Sequence, residues 1–132
     1  MKEILFRGKD IDNDEWVEGY LTVTNFPTGE WVKCIDYLID RYTIREDYGQ
    51  TTVVPETITQ YIGFTDKNKR KIFECDIIKL YLIDGFEIGV IKYNDIMCRF
   101  MFFTKEGSYS FDNTTECEVI GNIYDNPELL EN

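Results

Sequence analysis

The chain has 132 residues, 43% hydrophobic and 15% aromatic, which predicts one folded domain or two small subdomains and argues against disorder. It contains no histidine and has a net charge of −11, so it lacks the commonest general base and disfavours contact with a phosphate backbone. Neither a signal-peptide pattern nor an apolar run of about 20 residues occurs, so we expect a cytoplasmic protein that does not enter a membrane.

The N-terminal half is typical of short strands separated by turns. Gly19 lies inside one such strand and is expected at a bulge or at a close contact between strands. Pro55 and Glu56 favour a short helix of one or two turns before Gly63, because both suit a first helical turn. Strands are predicted over residues 4–7, 16–23, 31–35, 37–44 and 51–54.

The C-terminal half has a clearer strand pattern, with turn signals at Asp84-Gly85 and Asn94-Asp95. Five or six short strands at this spacing predict a small barrel or sandwich. Asn126, Pro127 and Glu128 predict an N-cap and a short terminal helix. The predicted strands cover residues 71–74, 76–82, 86–93, 97–104 and 117–124.

The stretch Met97–Phe103 is apolar at almost every position, with Arg99 the exception. Because side chains alternate between the two faces of a strand, this pattern predicts burial on both faces. The second face would be covered by the N-terminal half or by another subunit, so we consider a homo-oligomer.

The four cysteines, Cys34, Cys75, Cys98 and Cys117, are widely spaced and form no C-x-x-C pair. A zinc site usually draws its ligands in close pairs, and a disulfide framework requires an exported chain. We therefore expect ordinary, mostly buried thiols, and we predict neither a metal nor a cofactor.

Several segments occur together in a specific order. They are FRGK at 6–9, WVEG at 16–19, VPETITQYIGFTDKN at 54–68, IFE at 72–74 with DII at 76–78, and EVIGNIYDNPELL at 118–130. In this order they resemble the YopX family of small bacteriophage and prophage proteins, over nearly the whole chain.

The resemblance implies a mainly β protein with a β-rich part at 1–62 and an SH3-like barrel at 63–132. It implies no reaction and no catalytic residues. One position departs from the family, which usually has glycine where this chain has Cys75. Because a cysteine is costly at positive φ, we expect an ordinary negative φ there.

The basic cluster Lys67, Lys69, Arg70 and Lys71 could grip phosphate or an acidic partner. It also fits a hairpin tip with Asn68 in the left-handed conformation, and we favour that interpretation. Trp16 and Trp31 are candidate interface anchors, although a tryptophan on a strand is more often half-buried core. A third set, the carboxylates in the family-like motifs, fits turn and cap roles better than catalysis: Glu56, Glu74, Asp76 and Glu118.

Our leading hypothesis is a non-enzymatic accessory protein that binds itself or a basic host or phage protein. Residues 106–132 contain seven acidic residues and no Lys or Arg, which fits either a solvated surface or a docking face. Two alternatives remain open. One is a nucleic-acid-binding barrel that uses the 67–71 tip, which the net charge disfavours, and the other is an acidic DNA mimic.

Overall fold

The structure is a computed structural model that describes residues 4–25, 29, 31–38, 48–111 and 116–131. These residues form two antiparallel sheets and two single 3₁₀ turns, which confirms the mainly β fold. Within them, no helix has the length and apolar character needed to cross a membrane. The strand predicted at 37–44 falls mostly outside the described residues, as do residues 112–115 of the acidic stretch.

The chain divides into two compact units, residues 1–60 and 61–132. The sequence placed the boundary at 62–63, and the division falls inside one strand, β5 (Thr59–Thr65). The first two residues of β5 pair within the first unit and the rest pair within the second.

In the first unit the strand order is β4-β3-β2-β1 followed by the start of β5. A β-carbon on Gly19 would clash with the carbonyl oxygen of Asp36, so this glycine marks a close contact between strands. The helix predicted after Pro55 is a single 3₁₀ turn, since Ile58 is already extended and the β-prone run that follows it forms β5. The other bounds are β1 Phe6–Lys9, β2 Trp16–Asn25, β3 Trp31–Leu38, β4 Tyr48–Thr52 and the turn Pro55–Thr57.

In the second unit a five-stranded sheet has the order β10-β9-β8-β7-β11, and β5 forms a hairpin with β6. The predicted C-terminal helix is a 3₁₀ turn of four residues. The sequence prediction missed β10, because glycine and serine dominate it. The bounds are β6 Lys71–Phe73, β7 Asp76–Leu82, β8 Gly85–Asn94, β9 Arg99–Thr104, β10 Gly107–Ser110, β11 Cys117–Asn122 and the turn Pro127–Leu130.

The second unit has its core between the β5–β6 hairpin and one face of the five-stranded sheet, which we call the inner face. On β9, Phe102 belongs to this core, and its neighbour Met101 is buried on the opposite, outer face. The burial on both faces predicted for Met97–Phe103 is therefore confirmed at Met101 and Phe102, and it is wrong at the start of the stretch, where Met97 is 53% exposed and Cys98 is exposed in the turn before β9. The burial of Met101 and Phe102 is achieved within a single chain, so the strand does not itself require another subunit.

An SH3-like barrel is not confirmed. Among the described residues the sheet stays open, since β10 pairs only with β9 and β11 pairs only with β7. A barrel needs its edge strands to join, and these two lie at opposite ends of the strand order.

The expectation for Cys75 is wrong, because its φ is +72°. Cys75 lies in the turn between β6 and β7, and two backbone hydrogen bonds hold it there. Its N–H donates to the carbonyl of Ile91 at 2.7 Å, and its own carbonyl accepts from the N–H of Ile123 at 3.0 Å. The turn therefore keeps the left-handed conformation that glycine would adopt freely.

Candidate functional site

The basic cluster lies on the turn between β5 and β6, as the hairpin-tip interpretation predicts, with its side chains exposed. The left-handed residue is Lys69, with φ +63°, and not Asn68. The turn is organised by Asp66, whose buried carboxylate accepts the N–H groups of Asn68 at 2.8 Å and Arg70 at 2.9 Å. The same carboxylate also accepts the N–H of Val119 at 2.9 Å, which ties the turn to β11.

Two side chains of this cluster, Lys67 and Arg70, form hydrogen bonds with other residues of the second unit. The Nζ of Lys67 lies 3.2 Å from the Tyr81 hydroxyl and 3.5 Å from a Glu118 oxygen, and that hydroxyl donates to Glu118 at 2.9 Å. The Tyr81 hydrogen bond, followed by Lys67, lowers the pKa of Glu118, and the same contacts raise the pKa of Lys67. Arg70 donates to the Val119 carbonyl at 3.4 Å.

The two tryptophans do not form one site. Trp16 is half-buried, with the Arg7 guanidinium 4.6 Å and the Lys9 ammonium 5.5 Å from its ring centre. Trp31 is 68% exposed and pairs with Asn25 at the far end of β2. Since residues 16 and 25 differ in parity along β2, the two indoles belong to opposite faces of the sheet.

A concave surface of about 390 Å³ lies on the outer face of the second unit. Ile88 and Val90 of β8 and Phe103 of β9 provide its apolar floor, because the register sets Val90 opposite Phe103. Leu129 and Leu130 of the C-terminal 3₁₀ turn line the same space. We call this surface the β8–β9 groove.

The β8–β9 groove has acidic residues in its lining, Glu87 and Glu106, together with one cation, Lys105. Along β8 the apolar face continues from Ile88 to Phe86, whose ring is 54% exposed. Beyond Phe86, the tip of the β7–β8 hairpin carries Ile83, which is fully exposed. The ammonium of Lys79, which is paired with Ile88, lies 4.1 Å from the centre of the Phe86 ring, so this partly exposed apolar surface also carries a cation.

A second concave surface, of about 550 Å³, lies in the first unit beside the Asp10–Asn13 loop. Its lining is mostly polar, and the Asp10 carboxylate in it already accepts the N–H of Asp12 at 2.8 Å. Among the described residues no three Cys, Asp or Glu side chains come together as metal ligands do.

Sequence reasoning did not find the β8–β9 groove. Phe86, Ile88 and Val90 occupy every second position, and this alternation in the sequence predicts one apolar face of a strand. The missing information was the return of Leu129 and Leu130 to that face, which depends on a turn after β11. The one sequence feature that relates to this return is Gly121. A β-carbon there would lie 2.5 Å from the side-chain oxygen of Asn126, so the turn needs glycine at this position.

Comparison with known proteins supplies the family. The model of the YopX protein family matches residues 5–131. The chain belongs to the YopX family. Its fold is similar to the crystal structure of protein EF1440 from Enterococcus faecalis, with a TM-score of 0.61 and 24% sequence identity over 99% of this chain and 100% of that one. A search of curated proteins finds no significant match.

The YopX-like motifs of this chain hold turns in place. The Asn122 side-chain oxygen accepts the N–H groups of Tyr124 at 3.0 Å and Asp125 at 2.9 Å. Asn126 is not the predicted side-chain N-cap: its side-chain oxygen instead accepts the N–H of Asn122 at 3.3 Å. In the Pro55–Thr57 turn, the Thr57 hydroxyl donates to the Val54 carbonyl at 2.7 Å.

Three of the four carboxylates in these motifs also bond within the fold. Asp76 is almost fully buried and accepts the N–H of Phe73 at 2.8 Å. Glu74 accepts the N–H of Tyr93 at 3.2 Å, and Glu118 accepts the Tyr81 hydroxyl. These contacts are structural, and they separate the carboxylates among different turns and strands.

Proposed function

We propose that this protein is a non-enzymatic phage or prophage accessory protein of the bacterial cytoplasm that binds a basic host or phage protein. The β8–β9 groove is the observation that carries the proposal. It combines an apolar floor and wall with acidic residues, and it lies on a chain of net charge −11.

The groove fits an apolar side chain of the partner flanked by lysine or arginine. Ile88, Phe103 and the two leucines remain partly accessible, so an apolar group seated there would remove further surface from water. Glu106, in the lining of the groove, then lies beside the flanking cations, which favours a basic segment over an acidic one.

The roles of the motif carboxylates support a binding function over an enzymatic one. An acid–base pair needs two titratable groups converging on one reacting atom. In this chain Glu74, Asp76 and Glu118 each hold a different part of the backbone or of a side-chain cluster.

A labelled peptide with a valine-phenylalanine-valine centre and two lysines at each end tests the proposal by fluorescence anisotropy. The wild-type protein should bind it more tightly than the same peptide with glutamate for lysine, and less tightly as salt rises. Equal binding of the two peptides, or no binding of the basic one, would overturn the proposal.

A pair of variants locates the binding surface. Ile88→Lys introduces a cation and extra bulk into the groove, whereas Ile96→Lys makes the same charge change on the β8–β9 turn, where Ile96 is 91% exposed. Affinity should fall at least roughly tenfold for the first and stay close to wild type for the second. Equal losses in both would show that only net charge matters, and circular dichroism checks that both variants fold.

The DNA-mimic alternative is favoured by the exposed carboxylates of the stretch without Lys or Arg, at Glu116, Asp125, Glu128 and Glu131. It predicts that a partner is released by salt and that Ile88→Lys binds nearly as well as Ile96→Lys, since charge and not the groove would carry recognition. The nucleic-acid alternative is less well supported, because Lys67 and Arg70 of the basic cluster already bond to groups of this fold.

A further inference from the structure

One edge strand of the five-stranded sheet, β11, is covered by contacts with the β5–β6 turn, whereas the other edge strand, β10, is exposed. At β11, the Asp66 carboxylate accepts the Val119 N–H at 2.9 Å, and the Lys67 N–H donates to the Cys117 carbonyl at 2.9 Å. Together with Arg70, these contacts cover β11 with the β5–β6 turn. An edge covered in this way cannot take another strand.

The other edge, β10, has no such cover among the described residues. All four of its residues are exposed, and none of them is charged or is proline. Charges, proline and covering loops are the usual devices that keep a sheet edge from pairing. The sequence Gly-Ser-Tyr-Ser contains neither a charge nor proline; the strand is short, at four residues, and the Arg99 guanidinium donates to the Ser110 hydroxyl at 2.7 Å.

The hairpin geometry shows which backbone groups point outward from β10. Thr104 and Gly107 close a two-residue loop, and a turn of this length joins its ends by a hydrogen bond. Because antiparallel pairs alternate between bonded and non-bonded, Ser108 and Ser110 direct their N–H and C=O groups away from β9. Each offers one donor and one acceptor to an added strand.

Side chains connect this edge to the β8–β9 groove. Ser108 is paired with Phe103, so both lie on the outer face of the sheet, where Phe103 lines the groove. A strand added to β10 would lie two strand spacings, about 10 Å, from β9. Ser108 has only a small side chain, so a long apolar side chain on the added strand can pass over it towards the groove.

We propose that the partner binds by adding an extended segment to β10, with an apolar side chain crossing Ser108 into the β8–β9 groove and basic residues beside Glu106. This inference rests on the proposed function and specifies how its partner is held. The occupant is a segment of another protein, because two copies of a chain with net charge −11 repel each other.

The test compares Ser108→Pro with Ser108→Ala, using the lysine-flanked peptide described above. Proline removes the outward N–H, and an edge strand tolerates it there because that N–H has no bond to β9. We expect Ser108→Pro to weaken binding roughly fivefold to tenfold through the lost backbone hydrogen bond, and Ser108→Ala to bind within about twofold of wild type.

The outcomes are distinguishable. If Ser108→Pro binds as tightly as Ser108→Ala while Ile88→Lys still loses binding, strand addition is wrong and the groove proposal survives. If no variant affects binding, or the peptide does not bind, the proposed function itself fails. If the wild-type protein dimerises without peptide and Ser108→Pro is monomeric, β10 takes a second copy, and the assignment to a different protein is wrong.

Amide exchange at Ser108 and Ser110 gives a second readout, since peptide binding should slow it in the wild type.

Discussion

Replacing Cys75 by glycine should stabilise the protein, because the residue has a φ of +72°. An L-residue in the left-handed region costs roughly 1–2 kcal/mol relative to the right-handed one. Glycine removes that strain, but its greater freedom in the unfolded chain offsets about 0.4–1 kcal/mol of the gain. The substitution also removes the long contact, 3.9 Å, between the Tyr124 hydroxyl and the Cys75 sulfur. The net expectation is a gain of about 1 kcal/mol in the free energy of unfolding.

Urea denaturation followed by far-UV circular dichroism measures this gain as a higher midpoint at an unchanged slope. The melting temperature should rise by about 4 °C. Tryptophan fluorescence is a poor probe here, because Trp16 and Trp31 both lie in the first unit and Cys75 lies in the second. Cys75→Ala is the matched control: it removes the sulfur and keeps the β-carbon, so it should give no comparable gain. If alanine stabilised as much as glycine, or if glycine gave no gain, the reasoning from φ would be refuted.

Three further predictions follow from contacts in the second unit. Gly121→Ala should destabilise by about 1–3 kcal/mol in urea denaturation, because its β-carbon would displace Asn126 from its hydrogen bond; a neutral result would contradict the crowding. Asp66→Asn should cost roughly 1.5–3 kcal/mol, since a neutral amide replaces a carboxylate that accepts three N–H groups; wild-type stability would contradict that role. Thiol labelling at pH 8 should modify the exposed Cys98 first and leave Cys117 until unfolding, because burial raises the pKa of Cys117 to about 11; equal rates would contradict this.

The sequence predicted most of the strands, since period-two alternation records which face of a strand is buried. It predicted burial on both faces of β9 for the same reason, and Met101 and Phe102 bear this out. The predicted mostly buried state of the cysteines holds for Cys34 and Cys117, whereas Cys75 is half-buried and Cys98 is exposed.

What the sequence did not predict depends on contacts that are distant along the chain. The φ of Cys75 is fixed by Ile91 and Ile123, and no local preference of a cysteine would indicate it. In the 66–70 turn, residue preference pointed to Asn68 as the left-handed position. Asp66 binds the N–H groups of residues 68 and 70, and this places the left-handed conformation at Lys69 instead.

The YopX-like motifs and most of the proposed binding surface occupy different parts of the second unit. The YopX-like motifs supply Asp66, Asn122 and Asn126, and these side chains bond to backbone groups around β11 and the C-terminal turn. That scaffolding closes one edge of the sheet and returns Leu129 and Leu130 to its outer face. The opposite edge, β10, and the apolar face of β8 lie largely outside those motifs. The motifs thus supply one side of the groove, Leu129 and Leu130, whereas the residues of β8, β9 and β10 that would contact a partner under the proposal can be changed without removing the hydrogen bonds of these turns.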